Sequence, residues 1–315
     1  MRERPPASRL GLNRLTYALL GSTAILALLS AIAFRELGLT LSLGDAPIVR
    51  GVQAAAALAA WAYFFAVPGR REEWITAEAC AGFLLCLMIA AVVTPSQYAA
   101  AAFARPPVDR ALAAADAMLG VHVPSLVAWA RAHAGLTPWL QAAYNSLVPQ
   151  FLVTVPLLWL RNDRRRLWEY VFNFHLAATV TMLASAIWPV ACAFQYYGFE
   201  SLVSQARFTE HFAGIRAGTM TVVDMNNLEE LVSMPSFHVA GALIVTWALR
   251  GTWWLVLPAA VINAGLIAST VLTGAHYFVD VIAAAILVAA SVCVYRRIVE
   301  PWAGIVAPMA GPRPG

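Results

Sequence analysis

Long apolar runs alternate with short polar connections along most of this 315-residue chain. An uncharged run of about 20 residues is long enough to cross the hydrocarbon core of a bilayer as a helix, and several runs here approach or reach that length. The pattern predicts an all-α, polytopic membrane protein with eight spans, whose approximate limits are 15–34, 51–68, 77–97, 139–160, 170–192, 234–250, 253–273 and 275–295.

The segment 105–135 breaks this pattern, because prolines interrupt its apolar residues. We predict two short helices that lie in the outer membrane interface. They would act as packing cover or as a lateral gate for lipid. The predicted apolar face of the first helix consists of Val108, Leu112, Ala115 and Leu119. Asp109 and Asp116 would point away from that face.

Composition agrees with a membrane protein. Hydrophobic residues make up 61% of the chain and charged residues 12%, whereas about 25% of the residues in a soluble domain are charged. The 21 basic residues are all arginine, and the net charge of +4 comes from the connections between apolar runs. No nucleic-acid partner is therefore predicted.

The arginines also predict an orientation, because cytoplasmic loops are enriched in basic residues. With the N-terminus inside, the inside segments carry twice as many arginines as the outside segments, although the outside connections are longer. The strongest signal is the short turn that contains Arg161, Arg164, Arg165 and Arg166. We expect an integral protein of a bacterial inner membrane.

Two polar motifs stand at the edges of apolar runs. One is Pro235-Ser236-Phe237-His238, and the other contains His276 and Asp280, four residues apart. On a helix this spacing places both side chains on one face. Asp280 could then accept a hydrogen bond from one imidazole nitrogen and leave the other with an exposed lone pair. His238 could give a proton to a leaving group.

The predicted orientation brings His238, His276 and Asp280 to the same, outer face of the membrane, as a shared site requires. Tyr144 and Asn145 lie near the outer end of the fourth span. Polar residues in a span either serve function or join helices, and both readings of this pair stay open. Four cysteines lie in or beside apolar runs without metal-ligand spacing, so neither a metal nor a cofactor is predicted.

These motifs resemble the type 2 phosphatidic acid phosphatase superfamily. Its pattern is Pro-Ser-x-His followed by Ser-Arg-x5-His-x3-Asp, and Ser269, His276 and Asp280 match the second part, while Thr270 replaces the arginine. His276-Tyr277 and Asp280-Val281 look like the branch that contains inositol phosphorylceramide synthase and sphingomyelin synthase. The resemblance divides the chain into an N-terminal membrane region (1–135), a catalytic core (136–298) built on six helices, and a tail (299–315).

The resemblance implies that His276 attacks phosphorus and forms a phosphohistidine, that Asp280 orients it, and that His238 protonates the departing oxygen. Ser236, Thr273 and the backbone of Gly274 would donate hydrogen bonds to the phosphoryl oxygens. The family also supplies cations to the phosphate. Because Thr270 replaces one of them and an upstream Lys-x6-Arg-Pro motif is missing, Arg207 and Arg216 of the outer loop 193–233 are the candidate substitutes.

Three functions follow as hypotheses. The first is a lipid phosphotransferase that uses a phosphodiester donor and a lipid acceptor, because a monoanionic diester needs fewer cations. The second is a phosphomonoesterase acting on a lipid phosphate such as phosphatidic acid or an isoprenyl phosphate. A transporter is the remote alternative, since intramembrane His and Asp also serve proton relays, but no internal repeat is visible. The sequence predicts no oligomeric state.

Overall fold

The computed structural model describes residues 13–43, 51, 74–199, 202 and 207–305, and these residues are largely helical. The first half contains the helices and the strand α1 (Arg14–Glu36), β1 (Thr40–Ser42), α2 (Trp74–Ala102), α3 (Asp109–Met118), α4 (Val123–Ala132), α5 (Thr137–Asn145) and α6 (Leu147–Leu160). The second half contains α7 (Arg164–Ile187), α8 (Ala193–Tyr197), α9 (Phe208–Arg216), β2 (Val222–Asp224), α10 (Phe237–Ala248), α11 (Trp253–Leu272), α12 (Phe278–Val294) and, after one π-helical turn, α13 (Glu300–Ala303).

The predicted all-α polytopic class is confirmed. Within the described residues, five helices are long and apolar enough to cross a membrane: α1, α2, α7, α11 and the helix that runs from Phe278 to Ala303. Two bent helix pairs, α3 with α4 and α5 with α6, raise the number to seven if each pair is one span.

The second predicted span, 51–68, lies almost entirely outside the described residues. Two other predicted spans differ in the structure. The fourth is broken at Ser146, where α5 and α6 meet at 44°. The sixth is the twelve-residue helix α10, because Ser236 caps its N-terminus and the preceding residues are not helical.

The core lies where α2 packs along α7, with α1 against α2 and α10 against α7. Leu167, Trp168 and Val171 of α7 are fully buried there, as is Ile89 of α2. Gly82 permits the close approach, because a Cβ atom at this position would lie 2.9 Å from Cγ2 of Val171. The C-terminal half of the chain is thus packed on the N-terminal helices.

Buried carboxylates hold the predicted cytoplasmic end of the bundle together. Glu78 of α2 accepts hydrogen bonds from Arg164, at 2.5 and 2.6 Å, and from the Trp168 indole. Glu169 of α7 binds Arg250 and Arg296. Since an unpaired buried charge is costly, these partners fix the register between α2, α7, α10 and α12.

The two short helices predicted for 105–135 are present as α3 and α4, bent by 80°, and their location in the membrane interface stays a prediction. The predicted faces of α3 are wrong. Asp109 and Asp116 are 3% and 1% exposed, while Leu119 is 52% exposed. The reason is chemical: both carboxylates accept hydrogen bonds inside the protein, and a satisfied polar group can be buried.

The structure places the connection at Asn162 and the loop at Asn226 at opposite ends of α2. At the start of this helix, Thr76 accepts a hydrogen bond from Trp159, close to Asn162. At its end, Gln97 accepts from Leu231 of the other connection. Cysteines at the exposed positions Asn162 and Asn226 should therefore report opposite sides of the membrane.

The expected result follows from the arginine distribution. In a background where the exposed Cys293 is replaced by serine, Asn226→Cys should react with a membrane-impermeant thiol reagent added to intact cells. Asn162→Cys should react only after permeabilisation. The opposite labelling pattern would contradict the predicted orientation.

Candidate active site

His276 and Asp280 meet as predicted, but they do not share a helix. The helix α12 begins at Phe278, so His276 lies in the turn before it. The Nδ1 atom of His276 lies 3.4 Å from Oδ2 of Asp280. Asp280 folds back over the helix N-terminus, where Oδ2 also accepts from the backbone N–H of Tyr277 at 3.0 Å. The contact thus depends on helix capping and not on the periodicity of a helix.

Two serines complete the surroundings of His276. Ser233 Oγ lies 3.3 Å from Nδ1 and donates to Asp280 Oδ2 at 3.2 Å. Ser236 Oγ lies 3.2 Å from Nε2, on the other side of the ring. His276, Asp280 and both serines are at most 3% exposed, so each polar contact is shielded from bulk water.

These contacts define a role for each ring nitrogen. The Asp280 carboxylate lies beside Nδ1 and favours a proton on that atom. Nε2 then carries the lone pair and faces Ser236. This is the arrangement of a nucleophilic imidazole with an orienting carboxylate.

Carboxylates of α3 hold the N-terminus of α12. Asp116 accepts hydrogen bonds from the backbone N–H groups of Phe278, at 2.9 Å, and Val279, at 2.8 Å. Asp109 accepts from the Tyr277 hydroxyl at 2.9 Å. The first N–H groups of a helix lack intrahelical acceptors, so α3 satisfies them and fixes the helix that presents Asp280.

The turn that carries His276 requires a glycine. Gly274 has a φ of +81°, in the region that favours glycine, and a Cβ atom there would lie 2.3 Å from Cε2 of Phe199. Its carbonyl accepts from the N–H of Phe194 at 2.9 Å. The backbone N–H of His276 donates to the carbonyl of Thr270 at 3.0 Å. The histidine is therefore fixed through its backbone as well as through its ring.

His238 faces this group from the first turn of α10. The centroids of the two imidazole rings are 6.5 Å apart. Tyr144 stacks on His238 at 4.1 Å between centroids. Nδ1 of His238 lies 3.0 Å from Oε2 of Glu230. Each catalytic histidine candidate thus has its own carboxylate.

The charge state of Glu230 follows from the same pair. Burial raises the pKa of the Glu230 carboxyl, but its interactions with His238 and, at longer range, His276 outweigh that effect and hold the pKa below its ordinary value. Near neutral pH the site therefore contains an ionised carboxylate beside His238.

The N-terminus of α10 is a source of positive potential. Ser236 caps it, with Oγ accepting from the N–H of Val239 at 3.4 Å. The N–H groups of Phe237 and His238 belong to the first turn, which has no intrahelical acceptors for them. Such an end attracts anions through its free N–H groups and the helix dipole.

Three other groups near the predicted phosphate site donate their hydrogen bonds to backbone carbonyls three or four residues earlier in the chain. The Thr270 hydroxyl donates to the carbonyl of Ile267, and the Thr273 hydroxyl donates to that of Ser269, both at 2.7 Å. The Gly274 N–H donates to the carbonyl of Val271 at 3.0 Å.

The two candidate arginines bind elsewhere. Arg207 pairs with Glu229 at 2.8 Å. Arg216 donates to the carbonyl of Arg105 at 2.8 Å and lies over the Phe212 ring. Asn145, the neighbour of Tyr144, is exposed at the end of α5. The structure therefore brings Tyr144 to the site, but it shows no contact of Arg207, Arg216 or Asn145 with the histidines among the described residues.

Sequence reasoning missed four residues of the site: Ser233, Glu230, Asp109 and Asp116. Ser233 and Glu230 stand shortly before the Pro-Ser-x-His motif, and their closeness to it was the available signal. The two aspartates lie more than 160 residues before their partners, so no local pattern reveals them. Among the described residues, no three His, Cys, Asp or Glu side chains are grouped to hold a metal ion.

Comparison with protein families gives one match. The model of a family described as the PAP2 superfamily matches residues 110–294, which include every residue of the candidate site from Asp116 to Asp280. Searches of curated proteins and of solved structures found no significant match.

The role of Asp116 can be tested by removing its carboxylate. Asp116→Ala leaves two partly buried N–H groups of α12 without acceptors, which should lower the stability of the protein by about 1–2 kcal/mol. It should also reduce turnover, because the turn that carries His276 loses its anchor. Thermal unfolding in detergent and activity at a permissive temperature measure the two effects.

Asp163→Ala is the matched control, because Asp163 caps α7 at the other end of the bundle. It should lower stability and leave turnover per folded molecule unchanged. Equal loss of turnover in both variants would contradict a specific role of Asp116 at the site.

Proposed function

We propose that this chain, which belongs to the PAP2 superfamily, is a membrane-embedded lipid phosphotransferase that works through a phosphohistidine at His276. The family supports phosphatase or phosphotransferase activity on lipid-like substrates. The geometry around the two histidines supports a division of labour between them.

In the proposed first step, Nε2 of His276 attacks phosphorus and forms a P–N bond while the bond between phosphorus and the lipid oxygen breaks. Nδ1 keeps its proton, and Asp280 stabilises the positive ring. The 3.4 Å contact between Nδ1 and Oδ2 supports this role, because a carboxylate so placed stabilises the charged ring and keeps the tautomer.

His238 moves the proton in both steps. It protonates the departing lipid oxygen, and in the second step it takes the proton of the incoming hydroxyl as that oxygen attacks phosphorus and the P–N bond breaks. Glu230 and Tyr144 hold its ring from two sides. Ser236 and the first N–H groups of α10 are the proposed donors to the phosphoryl oxygens.

One observation carries the choice of transfer over hydrolysis of a monoester. Among the described residues, the hydrogen-bonding and ion-pair partners of the two histidines are serines and carboxylates, with no arginine. Thr270 fills the position of the family arginine, and its hydroxyl is bonded within α11. A dianionic monoester needs more compensating charge than a monoanionic diester, so this acidic site favours a phosphodiester donor.

The likeness of the His276-Tyr277 and Asp280-Val281 pairs to the sphingolipid headgroup transferases points in the same direction. We further propose that the site faces the periplasmic side of a bacterial inner membrane, because the arginine-rich turn 161–166 lies at the opposite end of the bundle.

Substitution of the catalytic residues tests the mechanism. His276→Ala should abolish turnover and labelling of the protein by a radioactive donor, because the nucleophile is gone. Asp280→Asn should reduce turnover by about 10⁴-fold, as the equivalent change does in a serine protease triad. His133→Ala is the matched control, since His133 is an exposed histidine that contacts the carbonyl and the ring of Trp129 and does not touch the candidate site.

Turnover should persist in excess chelator, because the proposed nucleophile is a side chain. Activity that is lost on chelation and restored by a divalent metal would contradict the phosphohistidine mechanism, as would an active, labelled His276→Ala variant.

A competition experiment tests transfer against hydrolysis. The purified protein receives phosphatidic acid or an isoprenyl phosphate alone, or a phospholipid donor together with diacylglycerol or ceramide. We expect headgroup transfer in the second mixture and little phosphate release in the first, because no arginine among the described residues contacts the two histidines to compensate a dianion. Rapid phosphate release without transfer to either acceptor would identify a lipid phosphomonoesterase instead.

A further inference from the structure

A cavity of about 300 Å³ lies between α2, α6 and α7 and reaches His238 at one end. Its wall is mostly apolar and includes Ala90, Val93, Phe151 and Ala178. The cavity is thus a pocket with an apolar body that ends at the proposed proton donor.

The polar end of the cavity is held in place by side-chain hydrogen bonds from α2. Gln97 Oε1 accepts hydrogen bonds from the N–H groups of Leu231, at 2.7 Å, and Val232, at 3.2 Å. The neighbouring Tyr98 hydroxyl accepts from the N–H of Glu229 at 2.9 Å. Gln97 and Tyr98 are 7% and 1% exposed. The end of α2 therefore fixes the backbone of residues 229–232, and this segment places Glu230 at the edge of the cavity.

The cavity also reaches the surface of the bundle beside Val148 of α6, which lines it and is 64% exposed. Because α5 and α6 together are apolar enough to span a membrane, this side of the cavity is expected to face lipid, and we call it the lateral opening. A hydrocarbon chain can enter there directly from the bilayer. A water-soluble substrate would have to leave water to pass through this apolar opening.

We propose that this cavity holds the hydrocarbon chain of the lipid alcohol whose oxygen is protonated or deprotonated by His238. That is the alcohol that departs when the phosphohistidine forms and, in transfer, the alcohol that enters. The proposal rests on the proposed function. It also gives α2 a part in substrate binding, although α2 lies outside the residues matched by the family.

The volume and the chemistry both fit such an occupant. Ligand pockets begin at about 300 Å³ and combine an apolar wall with a few polar groups. Because a lipid chain leaves one apolar environment for another, the cavity gains little from the hydrophobic effect. It acts by shape, because it holds one chain so that the attached oxygen lies beside His238. A larger side chain that narrows the cavity should therefore impair long-chain substrates more than short-chain ones.

The test uses one substitution at two places on α2. Ala90→Leu narrows the proposed chain pocket. Ala79→Leu is the control, eleven residues earlier on the same helix face and about 16 Å away. It fills a separate apolar cavity of about 240 Å³ between α2 and α6. Val148→Trp narrows the lateral opening from an exposed position, so it does not depend on core packing.

The substrates are phosphatidic acid, phosphatidylinositol and phosphatidylcholine, each in a dioleoyl and a dihexanoyl form. Ala90→Leu and Val148→Trp should reduce kcat/KM for the dioleoyl form by about tenfold or more. Turnover of the dihexanoyl form, and labelling of His276 by it, should change by less than about twofold. Ala79→Leu should leave both substrates unaffected.

Equal losses on both chain lengths would overturn the proposal, because they indicate a disturbed site and not an obstructed chain. Wild-type behaviour of Ala90→Leu and Val148→Trp would overturn it as well, since the chain would then lie elsewhere. Failure of the proposed function is distinguishable, because in that case the unsubstituted protein shows no labelling of His276 with either chain length.

Discussion

The burial of the Asp280 carboxylate is the constraint on which the site depends. A charge out of contact with water must be compensated by hydrogen bonds and opposite charge. The Oδ2 atom of Asp280 accepts hydrogen bonds from the Ser233 hydroxyl and the Tyr277 N–H. It also lies 3.4 Å from Nδ1 of His276. Because Ser233 belongs to the loop before α10 while His276 and Tyr277 belong to the turn before α12, the contacts of this one oxygen hold the loop against the turn. The two motifs of the candidate site are thereby joined.

Carboxylates also determine the electrostatic character of the candidate site. Glu230 and Asp280 lie beside the two histidines, and Asp109 and Asp116 accept hydrogen bonds from Tyr277, Phe278 and Val279. The arginines at the other end of the bundle, by contrast, pair with Glu78 and Glu169. In the proposed mechanism, positive potential near the substrate therefore comes from the helix terminus of α10, a fixed partial charge suited to a singly charged ligand.

The sequence predicted what is local or repeated. Apolar runs revealed the helical class, and the spacing of His276 and Asp280 revealed their contact, although a helix cap and not a helix face produces it. The contribution of α3 to the site was not predicted, because its two aspartates resemble the polar face of an interfacial helix. Asp116 in fact accepts hydrogen bonds from the N-terminus of α12, some 160 residues later in the chain. The stacking of Tyr144 on His238 was not predicted, because the sequence left open whether Tyr144 serves function or joins helices.

The shortness of α10 has a consequence for where the chemistry takes place. Twelve residues make a helix about 18 Å long, whereas the hydrocarbon core is about 30 Å thick. The guanidinium groups of Arg250 and Arg296 both lie over the Trp247 ring near the C-terminal end of α10, and such groups favour the headgroup level. If that end is anchored there and α10 stands upright, its length falls short of the hydrocarbon core by roughly 12 Å. The proposed reaction would then require either a tilted α10 or a phosphate that leaves the headgroup layer to reach His238.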